Sequence, residues 1–311
     1  MKPNIGTRLS EKGSEPAVMV APFTPFTKDG TVNLDLVEKY AERMIERGNR
    51  AFYVCGGTGE AMSLAADERM AVAERWRAVL SEDWPLVVQV GFASIEECKR
   101  LAAHAQEIGA DAISSIGPTG RLVDDPDIVV AFTSEIAAAA PNLPFYYYHT
   151  GDLPSVKISG LQYLEATGEK IPTLAGIKHT NADLVDLSLC LRFENQKYEF
   201  LYGHDEMLLP ALSVGAPIGI GGTYNLISPT AVKLMASFHH GDLGTAQTLQ
   251  AKIQDFVRLL ARFGGFAAIK SAMKMIGLDC GQARLPRVNM DPAKEKKLFA
   301  AVEALFPDLR S

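Results

Sequence analysis

Short runs rich in β-forming residues alternate with amphipathic helical stretches along the chain, and this alternation constrains the fold more than any other feature. Eight runs read as strands: Ala17–Thr24, Arg50–Cys55, Leu86–Gly91, Ala112–Ile116, Pro144–His149, Thr173–Lys178, Tyr198–Tyr202 and Ala216–Gly221. Between them fall helical patterns such as Leu34–Arg47, Glu68–Leu80, Ile95–Ile108, Ile128–Ala140 and Leu184–Phe193. The last carries Leu184, Leu187 and Leu191, with Val185 and Leu189 beside them, at helical spacing. Parallel strands need a crossover between them, so eight strand-then-helix units imply an α/β chain closed into a (β/α)8 TIM barrel. An open, doubly wound sheet is the competing architecture. Further helical patterns at Gly241–Phe263, Ala267–Met275 and Pro292–Leu305 exceed what a barrel needs. The expected organisation is a flexible segment over 1–16, a barrel over 17–240 and a C-terminal helical extension over 241–311.

Composition narrows the function. The 311 residues carry a formal net charge of -6, which argues against a nucleic-acid partner, because phosphate binding needs clustered Lys and Arg. The most apolar stretch, Met207 to Gly222, is cut by Pro210, Gly215, Pro217 and Gly219, so no membrane span is expected. The first sixteen residues are polar, with no apolar signal core. Cys55, Cys98, Cys190 and Cys280 lie far apart without C-x-x-C spacing and read as reduced core thiols of a cytoplasmic protein.

Chemistry concentrates where strands end, which is where barrels of this kind carry their sites. Lys178 lies in the apolar run Leu174-Ala175-Gly176-Ile177-Lys178-His179-Thr180. An ammonium withdrawn from water relieves the cost by losing its proton, and a neutral amine is a nucleophile. Lowering a lysine pKa from about 10.4 to about 7.5 corresponds to roughly 4 kcal/mol, more than a packing role justifies. The plainer reading is a lysine whose head snorkels to the rim. After the second strand, Gly56-Gly57-Thr58-Gly59-Glu60 offers backbone N–H groups and a hydroxyl for a carboxylate or phosphate, or is simply a tight turn. In Phe145-Tyr146-Tyr147-Tyr148-His149, alternation sends Tyr146 and Tyr148 to one face and Tyr147 to the other, and Tyr148 is last of the three. Tyr202-Gly203-His204-Asp205-Glu206 puts two acids at the rim, to bind a metal, to bind sugar hydroxyls or to cap the next helix. Glycines recur in Gly221-Gly222-Thr223-Tyr224-Asn225. His149, His179 and His204 lie near strand ends, but no H-x-H or H-x-x-x-H spacing is present, and no catalytic metal is expected.

With these residues in place, the stretch from about Val18 to Leu285 resembles the pyruvate-dependent Schiff-base aldolases that include dihydrodipicolinate synthase and N-acetylneuraminate lyase. The resemblance rests on the G-x-T-G-E loop, the rim tyrosine and the strand lysine, in that order. Within the family the chain looks like the lyase branch, through Leu143–His149, Leu201–Glu206, Thr223-Tyr224-Asn225 and Arg284-Leu285-Pro286. Leu153 stands where the synthases typically carry an arginine. The resemblance implies a homotetramer that needs no cofactor, since the intermediate is a lysine imine. It implies Lys178 and Tyr148 as catalytic residues. It further implies that Gly57, Thr58 and Gly59 hold a carboxylate, that Thr180, Gly203, Asp205, Glu206 and Gly222 line the sugar side, and that Phe266 closes the pocket. Departures occur at Gly57 and Gly222, where relatives usually carry hydroxyls, and at Thr150-Gly151-Asp152. These concern the second substrate rather than the imine. Three readings follow: a lyase of a 2-oxo-3-deoxy sugar acid, a synthase joining pyruvate to a short aldehyde, and a non-catalytic 2-oxo acid-binding homologue.

Overall fold

The strands close into a single parallel barrel in chain order, each pairing with the next and the eighth with the first, in a computed structural model that describes residues 4–10, 18–151 and 155–310. The strands are β1 (Val18–Val20), β2 (Asn49–Val54), β3 (Leu86–Gln89), β4 (Ala112–Ile116), β5 (Phe145–Thr150), β6 (Leu174–Thr180), β7 (Glu199–Tyr202) and β8 (Ile218–Gly221). The helices, in chain order, are α1 (Ile5–Ser10), α2 (Leu36–Glu46), α3 (Ala66–Val79), α4 (Ile95–Glu107), α5 (Pro126–Ala138), α6 (Gly160–Thr167), α7 (Leu184–Arg192), α8 (Leu208–Ser213) and α9 (Tyr224–His239). Then come α10 (Leu243–Arg262), α11 (Phe266–Ala272) and α12 (Pro292–Leu305), which lie close to the expected extension. The closed ring excludes the open-sheet alternative.

Alternation along each strand sorts the core into two layers. Met19, Ala51, Tyr53, Val87, Ala112, Tyr146, Leu201 and Ile220 fill the barrel interior. Val18, Phe52, Val88, Ile113, Tyr147, Ile177 and Phe200 pack outward beneath the helices. Helix starts are fixed by polar caps: Ser94 on α4, Asp125 with Pro126 on α5, Ser159 with Gln162 on α6, and Asp183 on α7. All four cysteines are free and buried. Among the described residues, no helix is long and apolar enough to cross a membrane.

Two expectations need correction. Within the stretch read as a flexible segment over 1–16, Ile5–Ser10 form α1, and Ile5 is fully buried among interior side chains. The Ile5 N–H donates to the Tyr146 hydroxyl (3.1 Å), which donates to Glu199 Oε2 (2.6 Å), and the Gly6 N–H reaches the same oxygen (3.0 Å). An apolar side chain here closes the amino end of the barrel, a need invisible in a locally polar sequence. Strand limits also move. β1 covers only Val18–Val20 of the expected Ala17–Thr24, whereas β6 runs on to Thr180, because β5 continues beside it and Thr150 pairs with Thr180.

Gly176 allows β6 to lie against β7: a Cβ there would collide with the Glu199 backbone carbonyl. Gly176→Ala should therefore destabilise by about 1–3 kcal/mol or more, because backbone rather than a flexible side chain must move. An unchanged thermal midpoint would refute this account of the β6–β7 contact.

Candidate active site

β5 and β6 run in a register that pairs Tyr148 with Lys178, so alternation points both into the barrel. Tyr146 joins the interior and Tyr147 the outer layer, as expected for this strand. Lys178 is 6% exposed, and its Nζ lies 3.3 Å from the centre of the Tyr148 ring and 4.7 Å from that of Tyr53. The two rings meet edge to face, with centroids 6.1 Å apart. Tyr53 is a site residue that motif reading missed. Its signal was the same alternation, applied to the second strand. Its hydroxyl donates to Ser114 Oγ (3.1 Å), which fixes the ring beneath the amine. Burial pushes the Lys178 pKa below the ordinary lysine value, against the opposing influence of Tyr148 and Asp205. The lysine does not snorkel to solvent.

The loop after β2 is bracketed by two non-glycine residues in the left-handed region, Cys55 (φ 56°) and Glu60 (φ 57°). Among the described residues, the N–H groups of Gly57, Thr58 and Gly59 have no acceptor. Three consecutive free donors at a strand end suit an anion. Thr58 packs toward β8: a Cβ at Gly222 would meet Thr58 Oγ1 at 2.8 Å, so the glycine makes room for the hydroxyl. Glu60 is buried and receives Lys270 Nζ (2.6 Å) and the Arg284 N–H (3.0 Å). Lys270 also reaches the Thr24 carbonyl (3.2 Å), and Thr24 Oγ1 donates to the Gly59 carbonyl (2.6 Å). The C-terminal extension thus holds the loop from behind. Phe266, at the start of α11, packs edge-on against Phe23 with centroids 5.4 Å apart.

On the other side, Asp205 turns inward and is 7% exposed. Its Oδ2 accepts from the Thr223 hydroxyl (2.6 Å) and N–H (3.3 Å), while its Oδ1 is buried without a partner among the described residues. Asp205 therefore points into the barrel rather than capping α8. Burial pushes its carboxyl up to about 7, with the two Thr223 bonds and Lys178 pulling the other way. Glu206 is more exposed and lies 3.9 Å from His204 Nε2. Thr180 Oγ1 is buried and without a partner among the described residues, and a Cβ at Gly203 would collide with it. Asp152 and Leu153 fall outside the described residues.

His149 and His179 point to the helix side of the barrel wall and meet Asp186, their ligand atoms lying within 4.8 Å of one another. Spacing tests missed this cluster because Asp186 comes from α7. It forms a hydrogen-bonded knot: His179 Nε2 lies 3.1 Å from Asp186, which also accepts from the Gly160 (2.9 Å) and Leu161 (3.0 Å) N–H groups. Burial, with His179 alongside, pushes His149 down to about 4. The strands separate this cluster from the Lys178 face.

The site thus combines a desolvated lysine beside a tyrosine on β5 and β6 with a loop of free backbone N–H groups after β2. The model of the dihydrodipicolinate synthetase family matches residues 15–305. The chain belongs to this family. Among relatives, N-acetylneuraminate lyase of Mus musculus is 37% identical over 277 residues, covering 86% of each chain. That of Sus scrofa is 36% identical over 315 residues, covering 97% of each. Of solved structures, Proteus mirabilis N-acetylneuraminate lyase superposes with a TM-score of 0.90 at 34% identity, over 94% of this chain and 99% of the other.

The raised Asp205 carboxyl makes a linkage prediction. Its ordinary value is 3.8, so the native state holds this proton more tightly than the unfolded chain. Asp205 thus costs no stability below about pH 4, destabilises progressively as pH rises from there to about 7, and adds no further penalty above that. Asp205→Asn removes this dependence, so its thermal midpoint should gain on wild type between about pH 5 and about pH 8. A constant difference across that range would overturn the assignment.

Proposed function

We propose that this chain is a class I, Schiff-base carbon–carbon lyase that reversibly cleaves a 2-oxo-3-deoxy sugar acid, N-acetylneuraminate or a relative, to pyruvate and an aldehyde. The observation that carries this reading is the Lys178 amine, desolvated between Tyr53 and Tyr148. The names of the relatives at 36–37% identity support it.

The substrate carboxylate docks on the N–H groups of Gly57, Thr58 and Gly59 and the Thr58 hydroxyl. The neutral Lys178 amine attacks the C2 ketone, and loss of water leaves a protonated imine. Tyr148, having given its proton to the departing hydroxyl, takes the C4 hydroxyl proton as a phenolate, which breaks the C3–C4 bond and sends its electron pair into the imine as an enamine. The aldehyde leaves. Protonation at C3 and hydrolysis then release pyruvate and restore the amine. Atoms and charge balance without a cofactor. Asp205 Oδ1 and Thr180 Oγ1, both buried without protein partners among the described residues, serve the polyol hydroxyls, with Glu206 at the outer edge. Gly203 keeps the Thr180 hydroxyl clear and Gly222 does the same for Thr58, while Phe266 closes the apolar end. A cytoplasmic homotetramer is part of the same proposal.

Borohydride reduction in the presence of pyruvate should add one pyruvate-derived adduct at Lys178, and Lys178→Arg should abolish it. Labelling at Lys157 or Lys270 instead would sink the reading. Tyr148→Phe should cut turnover by about 10²–10⁴-fold, whereas Tyr147→Phe, on the outer face of the same strand, should do little. Pyruvate release from N-acetylneuraminate or a shorter relative should exceed condensation of pyruvate with aspartate semialdehyde; the reverse order would favour a synthase.

A further inference from the structure

Three cationic side chains converge behind the anion cradle, and two of them are committed. Lys270 is paired with Glu60 at 2.6 Å. Arg284 grips Glu68 with two bonds of 2.6 Å each. The third, Arg287, pairs with no carboxylate among the described residues. Its guanidinium carbon lies over the Phe266 ring, 3.7 Å from the ring centre, and its Nη2 donates a hydrogen bond of 3.1 Å to the Gly57 carbonyl. Half withdrawn from water, it stays charged although burial pushes its pKa down. A cation on an aromatic face gains from the ring's negative quadrupole, which holds the planar group in place.

The bond to Gly57 matters because of peptide geometry. The carbonyl of Gly57 and the N–H of Thr58 belong to one planar unit and point in opposite directions. A guanidinium on the carbonyl end therefore fixes the direction of the Thr58 N–H. It also polarises the peptide, making that N–H a stronger donor. A Cβ at Gly57 would meet nothing within 4 Å, and besides Arg287 the Gly57 carbonyl accepts the Glu60 N–H (3.2 Å), a bond within the loop itself. The electrostatic setting adds a reason. If Lys178 is neutral, the mouth otherwise presents Asp205 and Glu206 to an incoming anion, in a chain of net charge -6.

We propose that Arg287 is a positioning residue for the carboxylate cradle, acting through the Gly57–Thr58 peptide to bind the anionic end of 2-oxo acid substrates. This rests on the Schiff-base reading above. Its specificity is for charge: every substrate bearing a carboxylate beside the ketone uses it, and a neutral ketone does not.

The test compares wild type, Arg287→Met and Arg287→Lys with pyruvate and its uncharged analogue pyruvamide, reading borohydride trapping at Lys178 against ketone concentration and steady-state cleavage in parallel. Arg287→Met should raise the half-saturating pyruvate concentration and the KM for the sugar acid by about 5–10-fold, with kcat within about twofold. Half-saturation by pyruvamide should stay unchanged. Arg287→Lys should recover part of the loss, since it keeps the charge but not the guanidinium. Raising ionic strength should weaken pyruvate binding in wild type more than in Arg287→Met. Equal weakening toward pyruvate and pyruvamide would show a merely structural role and overturn the proposal, as would no change toward pyruvate. If wild type fails to trap any ketone at Lys178, the Schiff-base reading falls and this inference with it. Trapping in all three proteins at equal pyruvate affinity overturns the inference alone.

Discussion

The cost of withdrawing one ammonium from water organises this protein. Among the described residues, Lys178 has no carboxylate in salt-bridge contact. Its neighbours are the faces of Tyr53 and Tyr148, and a cation–π contact offsets only part of the desolvation. Burial therefore favours the neutral amine, the form that the proposed chemistry needs. That outcome requires a dry interior. Ile5 at the buried end of α1, with the Tyr146–Glu199 pair above it, closes the amino end, and the side chains of alternate strands fill the middle.

The anion cradle presents the complementary problem. The three consecutive N–H groups of the loop have no acceptor among the described residues, and a loop entered and left through left-handed Cys55 and Glu60 is strained besides. The C-terminal extension provides the restraint. Glu60 and Lys270 form a pair that is almost wholly buried, and each carries further bonds, to the Arg284 N–H and to the Thr24 carbonyl. Such a pair is weak evidence for net stability, since desolvation cancels much of the attraction. Its value lies in direction: the ion pair, the Thr24–Gly59 bond and the Arg287–Gly57 bond hold the loop from three sides. A barrel without the extension would keep the lysine and the Thr24–Gly59 bond but lose the Glu60–Lys270 and Arg287–Gly57 contacts.

Much of this was legible in the sequence because it depends on local periodicity. Alternation of strand and helix announced the closed barrel, and the period of two within strands put Lys178 and Tyr148 inside, with His179 and Tyr147 outside. The threonines that Gly203 and Gly222 make room for were not legible: a methyl group added at either position would run into the side chain of Thr180 or Thr58. What tertiary structure alone decided are the meetings between distant segments. Glu60 finds Lys270 across 210 residues, and Gly57 finds Arg287 across 230. Tyr53 reaches Lys178 because strands far apart in the ring face a common axis. Ile5 belongs to the core although its neighbours in sequence are polar. Periodicity fixes which way a side chain points relative to its own strand. Only closure of the ring, and the path of the chain beyond its eighth strand, determines what it points at.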